Sequence, residues 1–414
     1  MINNNKIEVL APVGSWESLR AAIAAGADAI YFGAENLSMR SGKSVNFSLD
    51  EIQTIVDETK AANMKSYLTL NIVMFDNDME PTKELINKAV ECGVDAIIAA
   101  DFAVIEYARE VGANIHVSTQ ANVGNYSAVK YFSRFADVVV LARELNLEQV
   151  EFISKKIEED QLKGPSGELI KLEMFAHGAL CMATSGKCYL SLHEYNKSAN
   201  RGSCLLTCRR PYILTDKETG YELEVDNEYL MSPKDLRTIH FLDRIIDAGV
   251  SVLKIEGRGR SPEYVKYTTE AYKEALRLIE IGEYTMENIK VLEEKLAKVY
   301  NRGFWDGYYL GQKLGDWSPK YGSAATTKKV FIGDITNYFS KLGVAEVQIR
   351  TNDIELDDNI MIIGATTGVY EGTIKELRDN EGQLKKAGKG QLVAFPVDSK
   401  VRKKDQLYKI VPND

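Results

Sequence analysis

Short apolar runs alternate with amphipathic stretches along most of the first 260 residues. Runs rich in Val, Ile and Ala mark strands at 7–13, 28–32, 66–74, 95–100, 115–118, 138–142, 170–175 and 252–256. Between them, apolar positions recur at helical spacing over 15–26, 49–63, 82–91, 103–112 and 147–157, and two more helices follow at 261–281 and 286–300. Ser15 stands where the first helix needs an N-cap. A small element recurs as Gly26-Ala-Asp28, Gly93-Val-Asp95, Ala136-Asp137 and Gly249-Val-Ser251, a turn from helix end into parallel strand. About eight strand–helix alternations predict an α/β chain folded as a (β/α)8 TIM-like barrel. An open doubly wound sheet is the competing arrangement, and no G-x-G-x-x-G follows the first strand to support it.

The pattern then changes. Residues 311–325 (GQKLGDWSPKYGSAA) turn to Gly, Ser, Lys and Pro and read as a linker. Short alternating strands follow at 329–335, 344–349, 359–363, 369–377, 391–397 and 406–410, as in a small antiparallel β-barrel. The predicted division is a TIM-like barrel over 1–310, a linker over 311–325, and a small C-terminal β-barrel domain over 326–414.

In such a barrel the chemistry belongs at the carboxyl ends of the strands. Those positions are unusually polar: Glu35 and Asn36, Asn71, Asp101, Gln120 and Asn122, Arg143 and Glu144, His177, Glu256 and Arg258. Any one of them is readily explained as a cap or a solvated side chain, but together they predict a functional mouth. Glu256, His177 and Arg143 are the catalytic candidates, with Glu256 or His177 moving a proton. Arg258, Gln120 and Asn122 are candidates for holding substrate, and the arginines suit a small dicarboxylate. The structural alternative pairs Glu256 with Arg258 or Arg143 in a buried ion pair that only shapes the barrel top.

The loop expected after the seventh strand, within an insertion at about 173–210, holds four of the five cysteines: Cys181, Cys188, Cys204 and Cys208. Their intervals suit loops folding around one centre better than the C-x2-C knuckles of a zinc ribbon. Soft thiolates select iron–sulfur clusters, zinc or Cu(I). Disulfides and buried apolar thiols are the plainer readings. Cys92, at a helix end, reads as a packed thiol. The same loop carries Lys187, Lys197, Arg201, Arg209 and Arg210 against a single acid, Glu194. Arg201, Arg209 and Arg210 are therefore expected to contact an anion, such as a phosphate or a carboxylate, or simply to balance thiolate charge.

Net charge is −9, which argues against nucleic-acid binding over the whole surface but not against a local basic groove. No apolar run reaches membrane length and the start (MINNNKIEVLAP) has no signal-peptide core, so no membrane and a cytoplasmic setting with reduced thiols are expected. Hydrolase motifs fail. Gly42-Lys43-Ser44 lacks the first glycine of a P-loop, because position 37 is Leu37; His193-Glu194 has Lys197 where a zincin needs histidine; no G-x-S-x-G occurs.

The run EMFAHGALCMATSGKCYLS, from Glu173 to Ser191, closely resembles the signature of peptidase family U32, meeting each fixed position of E-x-F-x2-G-[SA]-[aliphatic]-C-x4-G-x-C-x-[aliphatic]-S. Leu10-Ala-Pro-Val-Gly14, Ala27-Asp-Ala-Ile-Tyr-Phe-Gly33 and Lys254-Ile-Glu-Gly-Arg258 resemble further landmarks of that family. The resemblance implies a C-terminal β-barrel similar to the second domain of elongation factor Tu. Some members are collagenase-like peptidases; others are hydroxylation proteins in which the four cysteines are associated with a four-iron four-sulfur (4Fe-4S) cluster. This chain is most similar to the branch acting on transfer RNA, which implies prephenate-dependent 5-hydroxylation of the wobble uridine. A U32-type peptidase with zinc held structurally by the cysteines is the alternative.

Overall fold

A computed structural model describes residues 6–42, 46–210, 212–225, 232–318 and 322–413. Lys43 and Ser44 of the failed P-loop, and positions 319–321 of the expected linker, lie outside these residues.

Eight parallel strands form the barrel: Glu8–Val13, Ala29–Phe32, Lys65–Leu70, Ala96–Ala99, Ile115–Val117, Val138–Val140, Lys171–Ala179 and Val250–Ile255. Each pairs with the next, and the eighth closes the ring, with Val252 opposite Glu8 on the first strand and Val250 opposite Leu172 on the seventh. Strand alternation sorts the side chains. Leu10, Ala29, Tyr31, Tyr67, Ala96, Ile98 and Val252 pack inside the barrel, while Val9, Ala11, Ile30, Phe32, Ile97 and Leu253 face the helices. Lys254, two residues beyond Val252, thereby shares the inward face.

The helices follow the expected periodicity. Ser15 caps Trp16–Ala24 by accepting a bond from the Ser18 amide at 3.2 Å. Gly93, at φ 76°, ends Met79–Cys92 in the left-handed region and turns the chain into the fourth strand. Tyr126–Phe132, capped by Asn125, adds a helix that the periodicity does not announce; seven residues make too short a window.

The seventh strand is longer than expected, running to Ala179. Its end is paired antiparallel by Asp235–Arg237, with Leu236 opposite Gly178 and Arg237 opposite His177. His177 is thus a residue within a strand rather than one beyond its end. Between Ala179 and the eighth strand lie the short helix Leu190–Tyr195, the hairpin Tyr212–Thr215 with Glu222–Val225, and the helix Leu242–Asp247.

The C-terminal residues form a six-stranded antiparallel sheet in the order Gly368–Thr373, Asn359–Gly364, Gln406–Pro412, Thr327–Phe339, Val344–Ile349, Leu392–Pro396. It encloses its own apolar core around Ile332, Val347, Ile362, Phe395 and Leu407. Val369 packs on the barrel's core, and Glu371 bonds Lys266 and Tyr267 of the helix Pro262–Glu280.

Candidate active site

The strand ends open into a cavity of about 300 Å3, roofed by the loop after the seventh strand. The barrel contributes Tyr31, Thr69, Asn71, Gln120, Arg143, Lys254, Glu256 and Arg258; the roof contributes Cys181, Cys188, Cys204, Cys208 and Arg209. Residues separated by more than two hundred positions thus share one wall, as strand-end residues of a closed barrel must.

The charges are organised around Glu256. Its partner is Arg40, with Nη2 3.3 Å from Oε1, and not Arg143 or Arg258 as the ion-pair alternative had it. Burial pushes the Glu256 carboxyl up, but Arg40, then Arg260, Arg143 and Arg302, outweigh it and hold the group below its ordinary value. Glu256 is therefore an anion at neutral pH, able to accept a proton and not to donate one. Arg40 reaches it from the loop after the second strand, with φ at 74°, a conformation a side-chain-bearing residue adopts at a cost. Arg258 donates to Ser38 Oγ at 3.0 Å, and burial draws its guanidinium down to about 10 against Tyr31 and Glu256. Arg143 lies 4.0 Å over the Phe175 ring and donates to the Ala179 carbonyl at 3.3 Å, leaving a buried Nε without a partner. Because the folded pKa of Glu256 is depressed, its contribution to stability is present above pH 4.5 and lost as pH falls. Glu256→Gln is accordingly expected to narrow the gap between melting temperatures at pH 7 and pH 4; an unchanged gap would contradict the ionised state.

The thiols are all unbridged, with Cys181 exposed and the other three half-buried. Burial pushes the Cys208 thiol up to about 11, opposed by Arg209 and reinforced by Cys181, Cys204 and Cys188. Loop bonds set their places: Asn200 Oδ1 accepts from the Cys188 amide at 3.2 Å, and Ser191 Oγ from the Leu205 amide at 3.0 Å. Among the described residues, no three His, Cys, Asp or Glu side chains gather closely enough to hold a metal ion. All four thiols line the one cavity. Together they are a soft, all-sulfur donor set of the kind that suits an iron–sulfur cluster or a zinc ion.

Comparison with known proteins places this site in a family. The model of peptidase family U32 matches residues 14–319. The chain belongs to peptidase family U32. A Porphyromonas gingivalis protein named collagenase is 51% identical over 99% of both chains. The tRNA hydroxylation protein P1 of Bacillus subtilis is 32% identical, covering 98% of this chain and 95% of its own. The Escherichia coli 23S rRNA 5-hydroxycytidine C2501 synthase is 31% identical over 92% of this chain and 56% of its own. The family is one of enzymes, and both RNA hydroxylation and collagenase are among the names its members carry.

The U32 signature now has a geometry. Gly178, at φ 108°, lets the seventh strand approach the eighth: a Cβ there would stand 2.5 Å from the Glu256 carbonyl oxygen. Gly186 lies so close to Gln120 that a Cβ would meet Oε1 at 2.6 Å. Asn122 is not in the cavity wall; its Nδ2 donates to the Gln120 carbonyl at 2.9 Å and the Ser185 carbonyl at 3.0 Å, tying the roof to the barrel. His177 is also outside the wall, boxed in by Tyr264, Tyr272 and Phe304, and burial with Arg237 and Arg260 draws its pKa down to about 3. It is a neutral packing residue, not placed to move a proton in the cavity.

The three roof arginines are braces. Arg201 grips Asp78 at 2.6 Å, donates to the Val73 carbonyl and covers the Phe75 ring. Arg209 donates to Leu180 O, Pro233 O and Ser232 Oγ. Arg210 is bonded to Tyr195 Oη. Only Arg209 of the three reaches the cavity wall. Charge counting along the loop did not reveal that these guanidiniums already have partners. It also missed Arg40, which no motif marks, and the buried pair of Lys254 and Glu173, 2.7 Å apart, whose members lie in the landmark and signature runs.

Proposed function

We propose that the protein hydroxylates a base of transfer RNA at the cysteine-roofed cavity, with a 4Fe-4S cluster held by Cys181, Cys188, Cys204 and Cys208. The reading is supported chiefly by one observation: four thiols and a cationic barrel mouth line the same void. Such a cluster, when bound, supplies one-electron chemistry. The chain's own residues bind and orient. Arg143 and Arg258 face the cavity as fixed cations suited to the two carboxylates of prephenate, the expected co-substrate. Glu256, kept anionic by Arg40, is the base available at the reacting position. Gln120 Oε1 is buried with no partner and offers an acceptor to the edge of an unstacked base. The finer expectation is 5-hydroxylation of the wobble uridine. Nucleoside analysis of total transfer RNA from a deletion strain tests it: 5-hydroxyuridine or its derivatives should disappear and return with the wild-type gene. An unaltered nucleoside profile would refute it.

A peptidase is the second reading, favoured by the 51% identity to a protein named collagenase. Against it, no serine, threonine or cysteine side chain among the described residues is hydrogen-bonded to a histidine, as an activated nucleophile would be; His177 bonds Tyr272, while His116 and His240 stand beside carboxylates. Gelatin hydrolysis by purified protein that is abolished by zinc chelation would favour this reading over the first. No helix among the described residues is long and apolar enough to cross a bilayer.

A further inference from the structure

Among the described residues, Lys254 is the one cation of the cavity wall whose side chain rises from inside the barrel strands. It is buried, and its Nζ lies 2.7 Å from Glu173 Oε1, 4.6 Å from the centre of the Tyr31 ring and 5.7 Å from that of Phe175. An ion pair in this position is a poor device for stability, since apolar side chains of similar volume usually serve as well. The pair is also incompletely satisfied. Glu173 Oε2 and His116 Nδ1 are both buried without hydrogen-bond partners, and at 3.9 Å, with burial holding the imidazole neutral at a pKa of about 3, they do not form an ion pair.

The surroundings of Lys254 point to a ligand. Arg258 shares the Tyr31 ring with it, and Arg143 shares Phe175. Thr69 and Thr119 line the same cavity, both more than nine-tenths buried, and their hydroxyls have no partner. Two guanidiniums, two unpartnered hydroxyls and a desolvated amine on an aromatic floor match a small carboxylate carrying an adjacent carbonyl. We propose that Lys254 captures the carbonyl of a 2-oxo acid in this cavity as an imine, with Glu173 taking and returning the proton. The proposal rests on the reading of the mouth arginines as a carboxylate site. It does not depend on the RNA or on the cluster.

The step is redox-neutral. A proton passes from Nζ to Glu173 Oε1, and the freed amine attacks C2. The C–N bond forms as the carbonyl π bond opens, and the oxygen takes the proton that the attacking nitrogen sheds. The carbinolamine then loses that oxygen as water, aided by the proton that Glu173 returns. Burial favours the transfer from both sides. It pushes Glu173 up, only partly offset by Lys254, and draws Lys254 down, opposed by Glu173 and aided by Arg258 and Arg143. The imine so formed is an electron sink that would acidify the neighbouring C3–H.

Pyruvate with sodium cyanoborohydride tests the proposal by mass spectrometry, whatever the cluster content. The expected result is a single reduced pyruvyl adduct on the peptide containing Lys254, absent from Lys254→Arg, which keeps the charge but not the nucleophile. Glu173→Gln should slow trapping by about 100-fold or more. No adduct, or an adduct retained in Lys254→Arg, overturns the proposal. Calorimetric titration with pyruvate separates the two levels: binding without an adduct removes only the imine, whereas neither binding nor adduct removes the carboxylate site as well.

Discussion

Serine at any one of Cys181, Cys188, Cys204 or Cys208 is expected to remove bound iron and acid-labile sulfide, and to abolish RNA modification. Serine at Cys92 should do neither. The four thiols line a single cavity, and a hydroxyl is a harder, weaker ligand for iron than a thiolate. Three of the four are half-buried, where burial and their neighbours' charge oppose thiolate formation at Cys188 and Cys208. A bound cluster would relieve that opposition, so losing one ligand is expected to weaken the hold of the others too. Cys92 differs in kind. It is buried in the helix Met79–Cys92 among Leu85, Ile86 and Ala89, where desolvation pushes its thiol up. Iron and sulfide assays on anaerobically purified variants, with visible absorbance, decide the matter. Equal iron in all five variants would end the assignment.

How much of this was legible in the sequence depends on what kind of signal each residue carries. Buried parallel strands are nearly continuous apolar runs, so the eight barrel strands stand out, and some of the polar residues that end those runs line the mouth. Gln120, Arg143, Glu256 and Arg258 were found in that way, and the cysteines by clustering. The length of the seventh strand was not legible, because its last residues are held by pairing with Asp235–Arg237, about sixty positions away. That pairing, together with Tyr264, Tyr272 and Phe304, is what takes His177 out of the mouth. The roof arginines illustrate another limit. Composition registers their charge, but only geometry shows Arg201 spent on Asp78 and Arg209 on backbone carbonyls. Lys254 and Glu173 were hidden by their setting. Inward positions of a barrel strand are ordinarily apolar, and nothing local announces that two charged ones meet.

That buried pair makes a strong stability prediction. Lys254→Met keeps most of the side chain's volume and leaves Glu173, fully buried, without its cation. Breaking one side of such a pair costs about 3–5 kcal/mol, because the carboxylate must remain uncompensated or take up a proton. The pH dependence identifies the cause. Burial already raises the Glu173 pKa in the intact protein, and without Lys254 it rises further. A group with a raised folded pKa is accommodated below its unfolded value, near 4.5, and its penalty grows as pH rises. The deficit in Lys254→Met should therefore be large at pH 7 and shrink toward pH 5. A packing defect would be the same at both. Adding Glu173→Gln removes the charge, and the double variant is expected to recover much of the loss at neutral pH. Urea unfolding of the two single variants and the double measures this as a coupling energy. A Lys254→Met protein as stable as wild type at pH 7 would show that Glu173 does not depend on the lysine, and the paired-charge description of the barrel interior would have to be given up.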